Sequence, residues 1–275
     1  MTEVRKESPF RIVASDLDGT LLAPNHQLSD FTKQTLKELH NQGYTFIFAT
    51  GRHHVDVSGI REIVGIPAYM ITSNGARVHD QHDTLMYSQN VPSELVQSVI
   101  DVVREDEEIY IHMYRNENWL ISHENQELRE FHNASGFSYQ LFDPSQAPSD
   151  GIAKVFFTHP GKDHERLARL ETVLNARFQG QLNVAFSTPW CLEVMAANVS
   201  KGEALNAVAQ SLGYSLSDCI AFGDGMNDKE MLDMAGKGLI MGTAHDKVFK
   251  ALPNNEVIGS NADDAVAHYL RTHLL

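Results

Sequence analysis

The sequence predicts an α/β fold: a doubly wound, Rossmann-like parallel-sheet core interrupted by an inserted α+β cap. Three observations predict it. The first and last thirds of the chain alternate short apolar strands with helical patterns. The strands are continuous apolar runs, as in Phe46-Ile47-Phe48, which is the signature of a parallel sheet covered on both faces. The middle third breaks this rhythm with hairpins mixed among helices.

The elements follow in order. Arg11 to Ser15 reads as the first strand, with β-branched residues and an Asp-x-Asp-Gly run directly after it. Ser29 caps a helix that ends at Gly43, with Leu28 placed as a staple. Thr45 to Ala49 and Tyr69 to Thr72 are the next strands. In the middle, Arg77 to Ser88 reads as a hairpin around Asp80-Gln81-His82-Asp83, and Tyr110 to Tyr114 and Trp119 to Ser122 flank a polar turn, Arg115 to Asn118. Helical patterns cover about Pro92 to Glu105 and Lys162 to Arg177. In the last third, Ala204, Leu205, Val208, Ala209 and Leu212 recur at helical spacing, and Gly213 closes the helix. A strand at Cys219 to Phe222, a short helix from about Asn227 to Ala235, a strand at Leu239 to Met241 and a helix near Asp263 to Leu274 complete the chain. The expected division is a core of residues 1–84 and 189–275 around a cap of residues 85–188.

Composition narrows the function classes. The chain has 275 residues, 42% hydrophobic, and a formal net charge of -14. So acidic a chain is a poor nucleic-acid binder, because that affinity depends on Lys and Arg. Nothing approaches the ~18 consecutive apolar residues of a membrane helix. Met1 to Phe10 is polar and lacks the apolar run of a secretory signal, so the expected location is the cytoplasm. Cys191 and Cys219 lie in apolar stretches and read as inert thiols. The negative charge also means that any phosphate site must gather its own positive charge locally.

Four polar clusters fall at predicted strand ends, where ligands bind in doubly wound sheets. Asp16-Leu17-Asp18-Gly19-Thr20 follows the first strand. Two carboxylates this close cannot be buried without a counter-charge, and a divalent metal supplies one. Thr50-Gly51-Arg52 follows the second strand and offers a hydroxyl, a backbone N–H and a cation to phosphate oxygens. Lys201 stands at a helix start, where the macrodipole disfavours a cation, so an anion nearby best explains it. Asp224 leaves its strand as Asp16 does, with Asn227 and Asp228 one turn later in positions that can also cap a helix.

Taken in chain order, Asp16-Leu17-Asp18-Gly19-Thr20, Thr50, Lys201 and Gly223-Asp224-x-x-Asn227-Asp228 resemble the four signature motifs of the haloacid dehalogenase superfamily. The cap resembles that of its Cof-type phosphatase branch. Phe48-Ala49-Thr50-Gly51-Arg52-His53-His54, Ser73-Asn74-Gly75-Ala76-Arg77-Val78-His79 and Cys191-Leu192-Glu193-Val194-Met195 look most like the bacterial pyridoxal phosphate and sugar phosphate phosphatases. The resemblance implies a phosphomonoester hydrolase with magnesium as cofactor. Asp16 is then the nucleophile and Asp18 the general acid and base. Magnesium would be held by the Asp16 carboxylate, the Asp18 backbone carbonyl and the Asp224 carboxylate, with Asp228 supporting that shell from behind. Thr50, the Gly51 N–H, Lys201 and Asn227 would grip the phosphoryl group, joined by the Leu17 N–H, while Arg52 and Asn74 are placed near substrate.

The same residues admit other readings. A receiver-like phospho-switch also uses Asp, Thr, Lys and magnesium, but is about half this length and has no cap. A phosphomutase can use the same scaffold, and a non-catalytic binder would have no need of a nucleophile beside an acid. In the cap, Tyr110, His112, Tyr114 and Trp119 alternate, and packing a small core explains them better than stacking on substrate. His53 and His54 read as ordinary histidines and not as metal ligands. The substrate expected is a small phosphorylated metabolite, pyridoxal 5′-phosphate first and hexose phosphates next. The sequence does not specify an oligomeric state.

Overall fold

The structure is a computed structural model and describes residues 8–131 and 136–275, so Met1 to Glu7 of the polar N-terminal stretch lie outside the described residues. The first part of the chain forms β1 (Ile12–Asp16), α1 (Asp30–Asn41), β2 (Thr45–Ala49), α2 (His54–Val57), α3 (Ile60–Val64), β3 (Tyr69–Thr72), β4 (Arg77–His79) and β5 (Leu85–Ser88). The middle forms α4 (Ser93–Ile100), β6 (Tyr110–Arg115), β7 (Asn118–Ile121), α5 (Gln126–Phe131), β8 (Tyr139–Leu141), β9 (Ile152–Thr158), α6 (His164–Arg177), β10 (Leu182–Thr188) and β11 (Cys191–Ala196). The last part forms α7 (Lys201–Ser211), β12 (Cys219–Gly223), α8 (Lys229–Met234), β13 (Lys237–Ile240), α9 (Asp246–Ala251), β14 (Glu256–Val257) and α10 (Ala265–Leu274).

Two sheets organise these elements. The larger has eight strands in the order β14-β13-β12-β1-β2-β3-β4-β5. Pairing is parallel from β14 to β3, and β4 and β5 turn antiparallel at one edge. The apolar runs are buried on both faces, as period-2 geometry requires. Val13, Phe46 and Phe48 face a layer with Leu36 and Leu39 of α1 and Leu270 of α10. Ile12, Ala14, Ile47 and Ala49 face the opposite layer, with Leu205 and Val208 of α7 and Leu232 of α8.

The smaller sheet has six strands in the order β10-β11-β9-β6-β7-β8. One face carries α4 and α6, through Val96, Val99, Leu167 and Leu170 packed on Ile111, Met113, Val155 and Phe157. The other face is aromatic, with Tyr114, Trp119 and Phe156, and turns toward the larger sheet.

Sheet membership corrects the expected boundaries of 85 and 188. Leu85–Ser88 hydrogen-bonds to β4 and belongs to the larger sheet, while Cys191–Ala196 pairs with β9 and β10 and belongs to the smaller one. The β4–β5 pairing is the hairpin expected over Arg77 to Ser88, and the boundary at 85 cuts through it, while the pairing of Cys191–Ala196 with β9 is a long-range choice that no local pattern encodes. Two local features also differ. The helix expected to reach Glu105 stops at Ile100 and continues as turns. Ser29 does cap α1, its side chain accepting from the Thr32 N–H, but the fourth helical residue is Lys33, so Leu28 is buried in the core without closing a staple. Among the described residues, no helix is long and apolar enough to cross a membrane.

Candidate active site

The order β12-β1-β2-β3 puts four parallel strands side by side, so their carboxyl ends open on one edge. Connections leave β1 in one direction for β2 and return on its other side at β12, which makes a switch-point crevice there. Asp16 is the last residue of β1, Thr50 follows β2, Asn74 follows β3 and Asp224 follows β12. Loops far apart in sequence therefore meet in one place.

At the centre, Asp16, Asp224 and Asp228 each bring a carboxylate oxygen within 4.8 Å of the others. Lys201 enters from the first turn of α7, whose cap is the Ser200 hydroxyl accepting from the Glu203 N–H. Its ammonium is fully buried and donates to Asp16 Oδ1 and to Asp228 Oδ1, both at 2.6 Å. The anion that offsets the unfavourable helix end is thus a pair of carboxylates of the protein itself. The second oxygen of Asp228 accepts the backbone N–H groups of Asp224 at 3.0 Å and Gly225 at 2.8 Å. Asp228 therefore shapes the Asp224 loop from behind, and caps α8 with no side-chain bond. Thr20 donates its hydroxyl to Asp224 Oδ1 at 2.8 Å, tying the β1 loop to the β12 loop. Gly19 makes that approach possible: its φ is +82°, and a Cβ there would collide with the Asp224 carboxylate.

The charges in this cluster do not balance. One ammonium, that of Lys201, stands against three clustered carboxylates and bonds two of them, Asp16 and Asp228. Burial pushes the Asp16 carboxyl well above the usual carboxylate range, against the opposing pull of Lys201. Burial and then the nearby Asp228 charge push Asp224 up to about 6. A divalent cation would relieve both effects, and hard carboxylate oxygens this close together suit magnesium. The residues present fit such an ion.

The remaining candidates surround a cavity of about 430 Å³ that reaches from this cluster to the aromatic face of the smaller sheet. Asp16, Asp18, Thr50, Arg52, Asp224 and Asn227 line its floor. The Asp18 side chain stands apart from the three clustered carboxylates, 3.0 Å from His26 Nδ1 and 3.9 Å from Arg52 Nε, and is part-exposed. Arg52 is held at 2.6 Å by the buried Asp56. Leu17 is fully buried and its carbonyl accepts from the Leu22 N–H at 2.8 Å, closing the β1 loop. Thr50 and Asn74 are joined through backbone: the Asn74 N–H donates to the Thr50 carbonyl at 3.1 Å, and the Ser73 N–H to the Arg52 carbonyl at 2.9 Å. Ser73, Asn74 and Gly75 hold φ at +49°, +57° and +103° in succession, a sparsely populated path that aims Asn74 inward. The Asn227 amide donates to Asn74 Oδ1 at 3.1 Å.

Tyr114, Trp119 and Phe156 form the roof. They are also the interior of the aromatic cluster on that face, with Phe137 and Tyr139, so packing and cavity wall are the same surface. His112 is locked inside it, 2.8 Å from Thr158 Oγ1 and accepting from the Trp119 indole at 3.2 Å. His53 holds Asn116 O at 2.7 Å and accepts the Val55 N–H at 3.2 Å, so both ring nitrogens have protein partners and the ring ligates no metal. Cys191 borders the cavity, and burial pushes its thiol up to about 12, so it stays protonated. Cys219 is a free buried thiol.

Sequence reasoning missed four contributors: His26, Thr20, Lys154 and Glu193. Lys154 and Glu193 had a signal, since each is a lone charge inside an apolar strand and a buried charge needs a partner. Thr20 closes the Asp16–Thr20 motif, and its bond to Asp224 depends on a loop 204 residues away.

A family model for haloacid dehalogenase-like hydrolases matches residues 13–270. A Haemophilus influenzae relative, named as a phosphatase with no substrate in its name, is 47% identical over 265 residues, covering 96% of this chain and 97% of its own length. The HMP-PP phosphatase of Cronobacter sakazakii is 39% identical over 265 residues, covering 96% of each chain. A haloacid dehalogenase-like hydrolase from B. subtilis shares the fold at a TM-score of 0.84 and 25% identity, covering 97% of this chain and 100% of its own. A sugar phosphatase of HAD subclass IIB matches at a TM-score of 0.80 and 20% identity, covering 95% and 98%, a likeness of fold alone.

The chain belongs to the haloacid dehalogenase-like hydrolase family. Within that family it is a Cof-type phosphatase, an enzyme that hydrolyses phosphoric monoesters.

Proposed function

We propose that this phosphatase is magnesium-dependent and hydrolyses small phosphorylated metabolites, pyridoxal 5′-phosphate first and sugar phosphates next, through a phosphorylated Asp16. The observation that carries the reading is the position of Asp16: it ends β1, faces the cavity and shares one buried cluster with Lys201, Asp224 and Asp228.

Asp16, Asp224 and the Asp18 backbone carbonyl would hold the cation, whose charge lets carboxylate and phosphate approach one another. Lys201 neutralises and orients the nucleophile by occupying Asp16 Oδ1. Thr50, the Gly51 and Leu17 N–H groups, and Asn227 fix the phosphoryl oxygens, with Arg52 at the rim. One Asp16 oxygen attacks phosphorus while the bond to the leaving oxygen breaks. Asp18 gives that oxygen its proton. Water then attacks the same phosphorus, Asp18 takes the proton back, and the Asp16–phosphate bond breaks to release inorganic phosphate.

The aromatic roof suits a flat ring, which favours pyridoxal 5′-phosphate among candidate substrates. A cavity closed by a second sheet also suits turnover of a small molecule better than a phospho-switch. The acidic chain is read as a cytoplasmic enzyme that engages neither nucleic acid nor membrane. A panel of phosphorylated metabolites, ranked by kcat/KM at fixed magnesium, tests this. Pyridoxal 5′-phosphate is expected to lead, EDTA to silence the enzyme and magnesium to restore it. Full activity in EDTA would overturn the metal assignment, and a single stoichiometric burst would favour a switch.

A further inference from the structure

On the aromatic face of the smaller sheet, two charges sit where apolar residues are expected. Lys154 of β9 and Glu193 of β11 pair directly, and each side chain is only 3% exposed. The Lys154 ammonium also lies 4.8 Å and 4.6 Å from the ring centroids of Tyr114 and Phe156. A buried ion pair adds little to stability by itself, so its contacts across the sheets matter more.

Both partners reach into the larger sheet. Lys154 Nζ donates to the Gly51 carbonyl at 2.6 Å. That carbonyl belongs to the peptide whose N–H, on Arg52, donates to Thr50 Oγ1 at 3.1 Å. Fixing the peptide plane therefore commits an acceptor lone pair of the Thr50 oxygen and leaves its O–H to point elsewhere. Glu193, through its other oxygen, accepts the Asn74 side-chain amide. A carboxylate only accepts, so Asn74 must turn its NH₂ to Glu193 and its oxygen to Asn227. Asn227 must then present its own NH₂, donating one hydrogen to Asn74 Oδ1 at 3.1 Å and keeping the other available. Gly51 leaves room for this relay, since a Cβ there would come within 3.0 Å of Asn74 Oδ1.

We infer that Lys154 and Glu193 are a positioning pair for phosphoryl transfer. Carried on the smaller sheet, the pair sets the donor direction of both Thr50 and Asn227, so the phosphate grip is assembled only when that sheet is seated on the core. The inference rests on the proposed function, because it takes Thr50 and Asn227 as groups that hold phosphate.

The test compares wild type with the double variant Lys154→Met/Glu193→Gln, which removes both charges together and keeps an acceptor near Asn74 while letting the Asn74 amide turn either way. Melting temperature, kcat and KM on p-nitrophenyl phosphate with magnesium, and orthovanadate affinity are measured. The expected result is a melting temperature near wild type, kcat lower by about 10–100-fold, KM changed far less, and orthovanadate bound more weakly in proportion to kcat/KM. A double variant with wild-type kcat overturns the proposal. Should it fail to fold, Asn74→Ala and Glu193→Gln are compared singly and together. Losses in kcat that do not add support the relay, and additive losses overturn it. If wild type does not turn over, the proposed function falls, and orthovanadate affinity by calorimetry still decides: equal binding by wild type and the double variant overturns the pair's role, weaker binding by the variant supports it.

Discussion

Lys201 holds two carboxylates at once, and this explains why single substitutions around it should have unlike effects. In Asp16→Asn, Lys201 keeps its bond to Asp228 and the loops keep their backbone bonds. The variant should fold normally and lose turnover to background, as read by melting temperature and steady-state phosphate release. Asp228→Ala is the reverse case. It strips Lys201 of a partner and leaves the Asp224 and Gly225 N–H groups without their acceptor. Removing one member of a buried pair costs about 3–5 kcal/mol, so chemical denaturation should show a loss of that order, and a magnesium titration of activity should shift to higher concentration. At this scale the sequence was readable where chemistry forces a residue: a lysine at a helix start needs an anion, and Lys201 has two. It was silent on His26, whose ring reaches Asp18 only because its loop turns through a φ of +60°.

At the scale of elements, the site depends on strand ends and the turns that leave them. Gly19→Ala should cost about 1–3 kcal/mol for the forced positive φ and lower turnover sharply by displacing the Asp224 carboxylate, with kcat falling more than melting temperature. A second element-level effect is pH dependence at the start of α2. His53 caps that helix and is pushed down to about 3, chiefly by burial. Its folded value lies below its unfolded value of ~6.5, so the unfolded chain takes up the proton first. Stability from this group is therefore complete above pH ~6.5 and declines as pH falls toward 3, by at most about 1.4 kcal/mol per pH unit. His53→Asn, which can still cap, should flatten that slope in melting curves between pH 7 and 4.5. The parallel strands were legible because Thr45 to Ala49 and Tyr69 to Thr72 are apolar on both faces. The hairpin over Arg77 to Ser88 was legible as well, though not the sheet it joins through β3, and the pairing of Cys191–Ala196 with β9 was not, because it is a non-local choice.

For the whole molecule, a floor of polar loop residues from one sheet meets an aromatic roof from another, and the proposed function assigns chemistry to the first scaffold and selectivity to the second. Tyr114→Leu should therefore raise KM for pyridoxal 5′-phosphate more than for a hexose phosphate, shifting their kcat/KM ratio by about 2–10-fold, while kcat on p-nitrophenyl phosphate stays close to wild type. A uniform loss on every substrate would assign Tyr114 to packing alone. The most direct measurement for the whole account is chemical trapping of the phosphorylated enzyme. Enzyme quenched during turnover is reduced with borohydride, which converts an aspartyl phosphate to homoserine, and the peptides are read by mass spectrometry. Homoserine at position 16, absent without substrate, is the predicted result. Sustained turnover with position 16 unmodified and the label at another carboxylate would contradict it.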